Sequence, residues 1–398
     1  MMRLAYFVSH PIQYQAPLLR LIAEDPTIDL KVFFYSDFSL KAYSDKGFGR
    51  VIQWDVPLLE GYNYEFLDTW GSKQCKRVSY KSLLAKDILN QLREGRFDVV
   101  WVHGWANFCG VQAILAAEKL GIPVLLRGES NGLTKSNNII KQKIKKIYLK
   151  WLFKKVTGFL YIGTLNCQFY KNHGIKDKNL FSMPYSVDND YFQKKATLAH
   201  QYRENFRQSF SLDPNRPIIL YAAKLIEVKR PQDLLQAYQL LSPDGLQEPE
   251  PYLLFVGDGK LRPLLEEQAK ETQWKSIKFT GFCNQSEIAK FYDLCDVFVL
   301  PSNFEPWGLA INEVMNAGKA ILVSDQVGCA HDLIREEING KIFPTGDVKA
   351  LAEALRWGVN NSISAGDESL KIMQKWSFQE DLKGIKSALN TLKMKSKI

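Results

Sequence analysis

SNFEPWGLAINEVMNAGKAI, residues 302–321, is the stretch on which the reading of the chain turns. It follows the apolar run Val297-Phe298-Val299-Leu300, which has the character of a buried parallel strand. Pro301 and Pro306 interrupt that pattern, and from Gly308 onward apolar residues at 310, 311, 314 and 315 predict a helix. The segment is therefore strand, loop, helix, with Glu305 in the loop and Glu313 about one turn inside the helix. The backbone N–H groups at Trp307, Gly308 and Leu309 open that helix and suit an anion such as a phosphate. Taken alone, Glu305 reads equally as a first-turn acid favoured by the helix dipole, and Glu313 as a solvated helix residue.

With 398 residues, 46% of them hydrophobic and 24% charged, the chain is long enough for two domains that each bury a full core. No apolar run reaches the length of a membrane span, and MMRLAYFVSHPIQY enters a strand pattern directly, so a cytoplasmic protein without a signal peptide is expected. Six cysteines, at 75, 109, 167, 283, 295 and 329, form no C-x-x-C pair and no metal spacing; they are expected to be reduced core or near-core residues. The net charge of +9 is uneven. Residues 1–190 hold 26 Lys plus Arg against 17 Asp plus Glu, while residues 191–398 hold 26 of each. A basic half can serve nucleic acid, an anionic membrane or an anionic substrate, and the motifs must choose among them.

The chain opens β-loop-α-β, with a strand over Met1–Ser9, a helix through Leu18, Leu19, Leu21 and Ile22, and a strand over Leu30–Tyr35. The loop after the first strand of a doubly wound sheet lies at the ligand crevice, and here it carries His10, Gln13 and Tyr14. Residues 36–80, with a strand-like piece at 51–56, are expected to hold acceptor loops. FDVVWVHGW (97–105) is a buried strand ending at His103, a helix follows over 111–120, and the strand at 123–126 runs into Arg127-Gly128-Glu129. In the second half a strand at 217–221 precedes Lys224, Lys229 and a helix. PYLLFVGDGK carries Gly257 and Gly259 at a turn, and IKFTGFC places Phe282 and Cys283 after another strand end. A lone His at a strand end reads more readily as a hydrogen-bonded core residue, and two lysines flanking a turn read as solvated.

Two glutamates eight apart, separated by Pro-aromatic-Gly-Leu and followed by Asn-Ala-Gly-Lys-Ala and a strand, resemble the donor-site signature of retaining GT-B glycosyltransferases of family 4. The resemblance implies two facing Rossmann-like, doubly wound parallel-sheet domains, roughly 1–190 plus a C-terminal helix (373–398) that crosses back, and 191–372. It implies a nucleoside diphosphate sugar donor, UDP-sugar by default, and transfer of a hexose-type sugar with retention and without a metal or other cofactor. Carried over residue by residue, Glu305 holds the donor sugar, Glu313 the ribose, and Lys224 and Lys229 the diphosphate, where the family usually has Arg then Lys. The backbone at Trp307, Gly308 and Leu309, with Gly257, Phe282, Cys283, His10 and Gln13, completes the donor site. His103 matches a histidine common in the family. Glu129 stands where many members have the active-site histidine, a departure that makes both residues candidate bases, and the first loop also lacks the usual glycine pair. Asp188-Asn189-Asp190 looks like a D-x-D metal motif but lies in MPYSVDNDYF, which resembles the family's interdomain crossover, so no metal site is read there. A sugar-nucleotide 2-epimerase of the same fold and a transferase acting on a soluble acceptor are the alternatives.

IIKQKIKKIYLKWLFKKV (139–156) holds seven lysines and no acid, interleaved with Ile140, Ile144, Ile147, Tyr148, Trp151 and Leu152. This predicts an amphipathic basic helix. Either its apolar stripe packs onto the first-domain sheet, or it meets an anionic membrane surface and brings the enzyme to a lipid, lipid-linked or polysaccharide acceptor of the cell envelope. No nucleic-acid-binding module is recognisable, and a peripheral position at the inner face of the membrane is the corresponding expectation.

Overall fold

The computed structural model describes residues 1–70, 84–133, 138–241, 250–271 and 276–395. The chain divides into two units: residues 1–43, 56–185 and 378–398 form the first, and 44–55 with 186–377 the second. Residues 44–55, expected with the first domain, thus belong to the second unit.

The first unit is built on seven strands, β1 (Met2–Val8), β2 (Ile28–Phe34), β3 (Asn63–Phe66), β4 (Val99–His103), β5 (Val124–Arg127), β6 (Gly158–Tyr161) and β7 (Leu180–Ser182). They lie in the order β7-β6-β5-β4-β1-β2-β3, all parallel, with Tyr6 opposite Val32 on one side and Trp101 on the other. Side chains alternate across a strand, so β1 sends Ala5 and Phe7 into one core and Leu4, Tyr6 and Val8 into the other. Helices cover both faces, which is why β1, β4 and β5 read as unbroken apolar runs.

Helix 378–395 covers the second of these faces with Ile385, Ala388, Leu389 and Leu392. Gly384 passes so close to β7 that a Cβ there would lie 1.7 Å from the Ser182 carbonyl oxygen. A buried ion pair fixes the helix: Arg127, 2% exposed, donates to Asp381, 0% exposed, at 2.8 Å and to the carbonyls of Met183 and Pro184 at 3.0 and 2.9 Å. Near its middle Lys386 pairs with Asp25 at 2.7 Å.

The second unit holds β8 (Ile218–Ala222), β9 (Tyr252–Val256), β10 (Ile277–Gly281), β11 (Val297–Leu300), β12 (Ala320–Ser324) and β13 (Gly340–Phe343) in the order β10-β9-β8-β11-β12-β13, again all parallel. Strand order reverses between β8 and β11, as it does between β1 and β4 in the first unit. In open α/β sheets ligands bind beyond the carboxyl ends of the strands at such a point.

Three local readings are settled here. Asp188 caps helix 189–200 by accepting from the Tyr191 amide at 2.9 Å. The strand-like piece at 51–56 is shorter and earlier, a pair of strands at Tyr43–Asp45 and Arg50–Ile52, because Pro57 and the charged Asp55 end the run. Cys109, Cys295 and Cys329 are buried and Cys167 and Cys283 half-buried, and among the described residues none of them is in a disulfide; Cys75 lies outside the described residues.

Removing one partner from a buried ion pair strands the other charge. Asp381→Asn should therefore destabilise the first unit by about 3 kcal/mol, read as an earlier urea-unfolding transition. A wild-type transition would show that Arg127 is satisfied by the two carbonyls alone.

Candidate functional site

The ends of β8 and β11 bring together the residues that the sequence singled out in the second half. Lys224 follows β8 and Lys229 ends a short 3-10 turn, Glu227–Lys229. Beside them β9 is followed by Gly257, whose φ of +137° is open to glycine; a Cβ there would lie 2.1 Å from the Ala223 carbonyl oxygen. Gly257 thus lets the turn after β9 close on the loop that carries Lys224, with the Leu225 amide donating to Asp258 at 2.9 Å.

Lys229 Nζ touches the Glu305 carboxylate. Burial, followed by the nearby Lys224 ammonium, pushes Lys229 down to about 8, and the touching carboxylate acts against that shift. Glu305 is held through its backbone: its amide donates to Gln326 at 3.1 Å and its carbonyl accepts from Gly328 at 3.0 Å. Gly308, in the left-handed region at φ +101°, opens helix Leu309–Met315. Trp307 offers a ligand only its backbone, since its indole is 3% exposed, donates to Asn312 at 2.9 Å and packs against Trp376.

Glu313 lies inside that helix and accepts from Tyr292 Oη at 2.7 Å. Burial pushes its carboxyl up to about 7, against the lowering effect of the Tyr292 hydroxyl. Phe282 takes the edge of Phe48, centroids 4.9 Å apart, and the Arg50 guanidinium lies 5.3 Å over its ring. Next to it, burial pushes the Cys283 thiol up to about 12, so it stays protonated.

In the first unit a second polar cluster forms where β1, β4 and β5 end. Glu129 accepts from Tyr185 and, at 3.5 Å, from Tyr14, and lies 3.8 Å from His103 Nε2. Burial alone would raise the Glu129 carboxyl; hydrogen bonding and charge from His103, with Tyr185 and Arg127, outweigh it and hold it below its ordinary value. Glu129 is therefore an anion at neutral pH. The Gln15 amide reaches the His103 ring nitrogens at 3.2 and 3.3 Å while its carbonyl accepts from Tyr6 at 2.8 Å. His10 sits apart from this cluster, against Ser9 and the edge of Phe38. Gln15, Tyr185 and Tyr292 were not singled out: a buried glutamine and two tyrosines among apolar residues carry no motif, and only their partners mark them.

Residues 202–375 match the family model described as glycosyl transferases group 1. The chain is 24% identical to the Escherichia coli UDP-Gal:alpha-D-GlcNAc-diphosphoundecaprenol alpha-1,3-galactosyltransferase over 71% of this chain and 72% of that protein. It is also 24% identical to the Campylobacter jejuni N,N'-diacetylbacillosaminyl-diphospho-undecaprenol alpha-1,3-N-acetylgalactosaminyltransferase, over 59% of this chain and 58% of that protein. An uncharacterized glycosyltransferase of Methanocaldococcus jannaschii is 28% identical over 46% of this chain, which spans only 42% of that protein's length. Among solved structures, Anabaena HepE in complex with UDP superposes with a TM-score of 0.73 at 16% identity, over 98% of this chain and 100% of that one. A glycosyltransferase from Rickettsia africae gives 0.70 at 17%, over 98% and 99%. The fold is GT-B. Within it, the ends of β8 and β11 carry the two lysines and the two glutamates.

A carboxyl whose pKa is raised on folding destabilises the folded state wherever the unfolded chain would be ionised. For Glu313 the cost is absent below about 4.5, grows as pH rises to about 7, and is complete above that. Glu313→Gln keeps the acceptor for Tyr292 without the charge, so its thermal midpoint should exceed wild type by roughly 2 °C or more at pH 8 and equal it near pH 4.5. A difference independent of pH would show that the carboxyl titrates normally.

Proposed function

We propose that this protein is a retaining glycosyltransferase that moves a hexose-type sugar from a UDP-sugar to a lipid-linked or polysaccharide acceptor of the cell envelope. The observation that carries the reading is the convergence of Lys224, Lys229 and Glu305 at the strand-order reversal of the second sheet, with Glu313 on the helix that follows. Two ammonium groups suit a leaving diphosphate, an electrostatic task that needs no metal. Glu305 faces the positive charge that develops at the anomeric carbon, and Glu313 accepts from ribose hydroxyls. The bond from the anomeric carbon to the diphosphate breaks as the bond to the acceptor oxygen forms. The acceptor is assigned to the first unit, where the anionic Glu129 and His103 stand ready for a hydroxyl proton. UDP in the HepE complex and diphosphoundecaprenol in two relatives' names support the choice of donor and acceptor class.

The purified protein should release free UDP from one UDP-sugar in a panel, only with acceptor present. Glu305→Gln should lower that turnover by roughly tenfold or more in the protein that remains folded at the assay temperature. UDP release without acceptor, accompanied by a changed sugar, would favour the epimerase, and full turnover in the Gln variant would remove Glu305 from the site.

The acceptor's lipid character draws on helix Ile139–Phe153. Leu149, Leu152 and Phe153 are buried and Tyr148 packs partly against the core, whereas Ile140, Ile144 and Ile147 are 69%, 62% and 70% exposed and Trp151 is 43% exposed. The expected stripe is thus two faces, and the isoleucines are outward among the lysines. Among the described residues no helix is long and apolar enough to cross a membrane. Apolar side chains amid lysines suit reversible binding to an anionic leaflet, with about 1 kcal/mol from each lysine near the surface. Co-sedimentation with vesicles should require anionic lipid, fall with salt, and fall further when Lys141, Lys143, Lys146 and Lys150 become Gln. Equal recovery in the supernatant with and without anionic vesicles would favour a soluble acceptor.

A further inference from the structure

Residues 44–55 lie within the sequence of the first half but pack in the second unit, on the residues assigned to the donor. Lys224 Nζ donates to both Asp45 oxygens at 2.9 Å, and Asp45 Oδ1 also accepts from the amides of Gly47 and Phe48 at 2.8 and 3.0 Å. The same ammonium stands 4.6 Å over the Phe48 ring. Gly47 is pressed against this lysine, so that a Cβ there would lie 2.7 Å from Lys224 Cδ. Further along, Phe48 and Arg50 cover Phe282, the Gln53 carbonyl accepts from Asn284 at 2.7 Å, and Asp55 accepts from the Ser286 amide at 3.3 Å. One short hairpin thus holds Lys224 at one end and residues 282–286 at the other.

Charge makes this more than a packing contact. Lys224 is neutralised by Asp45 and Lys229 by Glu305, so the two cations that would receive a diphosphate are each already paired with a carboxylate. An incoming diphosphate gains little attraction from a cluster with no net charge. Glu305 is fixed by backbone bonds to residues 326 and 328, outside its own loop, whereas Asp45 ends a three-residue strand and its backbone carbonyl bonds within its own hairpin, accepting from Gly49 at 2.8 Å. Asp45 is the carboxylate free to withdraw.

We propose that the 44–55 hairpin gates the donor site, with Asp45 an internal anion that occupies Lys224 until a diphosphate displaces it. This rests on the assignment of Lys224 to the donor diphosphate. In the ligand-free protein the carboxylate stands in for the phosphate and Phe48 shields the lysine. On donor binding the Asp45–Lys224 bonds are exchanged for phosphate–Lys224 bonds, and the turn retains its carboxylate through the Gly47 and Phe48 amides.

The test is calorimetric binding of UDP and of inorganic pyrophosphate to the full chain and to Asp45→Asn, Lys224→Ala and the double variant. Asp45→Asn should tighten both ligands about two- to fivefold, the range expected from a partly exposed ion pair. Lys224→Ala should weaken both, and in its background the Asp45 substitution should change nothing. Unchanged or weaker binding in Asp45→Asn overturns the gate and makes Asp45 a residue that merely orients the lysine. Tightening for pyrophosphate when UDP binds no variant upholds the gate and removes the nucleotide reading; no binding of either ligand to any variant overturns both. Independently of substitution, saturating wild type with pyrophosphate should speed exchange of the Ser286 amide, which donates to Asp55 of the hairpin, and slower or unchanged exchange there counts against the gate.

Discussion

The Arg127–Asp381 pair is the constraint on which the first unit depends. A guanidinium and a carboxylate, both out of water, are tolerable only when each is matched. Asp381 supplies the opposite charge, and the same Nη2 that donates to it is shared with the carbonyls of Met183 and Pro184. The pair therefore fixes three things at once: the end of β5, the segment after β7 and the start of the last helix. Tyr185, whose ring lies 4.8 Å from the guanidinium, is held in the same way, and it is Tyr185 that donates to Glu129. The polar cluster of the first unit inherits its geometry from an ion pair whose guanidinium also helps to keep Glu129 ionised.

The second unit solves a similar problem with less burial. Lysines 224 and 229 are kept near one another at the reversal of strand order, where like charges repel, and each is matched with a carboxylate. Glu313, by contrast, is met by the Tyr292 hydroxyl, and burial outweighs that bond and raises its carboxyl. The two glutamates of one motif are thus in opposite electrostatic states. One is an anion held by a lysine, and the other is a group that half keeps its proton near neutrality. That contrast suits two different tasks, facing developing positive charge and accepting from neutral hydroxyls.

Much of the fold was legible because its signals are local. The runs at 4–8, 99–102, 218–221 and 297–300 are buried on both faces and read as continuous apolar strands. The spacing at 310, 311, 314 and 315 placed the helix that carries Glu313. Strand ends placed His103, Glu129, Lys224 and Glu305 at the carboxyl edges of their sheets. The basic helix was legible as a helix but not in its orientation: Ile140, Ile144 and Ile147 share the period of a core stripe, yet Leu149, Leu152 and Phe153 reach the core instead. Periodicity reports that a face is apolar, not what it meets.

Sequence by itself determined the two parallel-sheet halves and the switch-point loops, since each follows from spacing within a few residues; the two-lysine, two-glutamate set was singled out by the resemblance of its motifs. Tertiary structure alone decided the partners. Asp45 meets Lys224 across 179 positions and Arg127 meets Asp381 across 254. Tyr292 and Glu313 come from separate helices flanking β11. Pairings of this kind leave no period in the chain, because they are set by where strands and helices deliver their ends, and a charged residue in a loop looks alike in sequence whether water or a lysine awaits it.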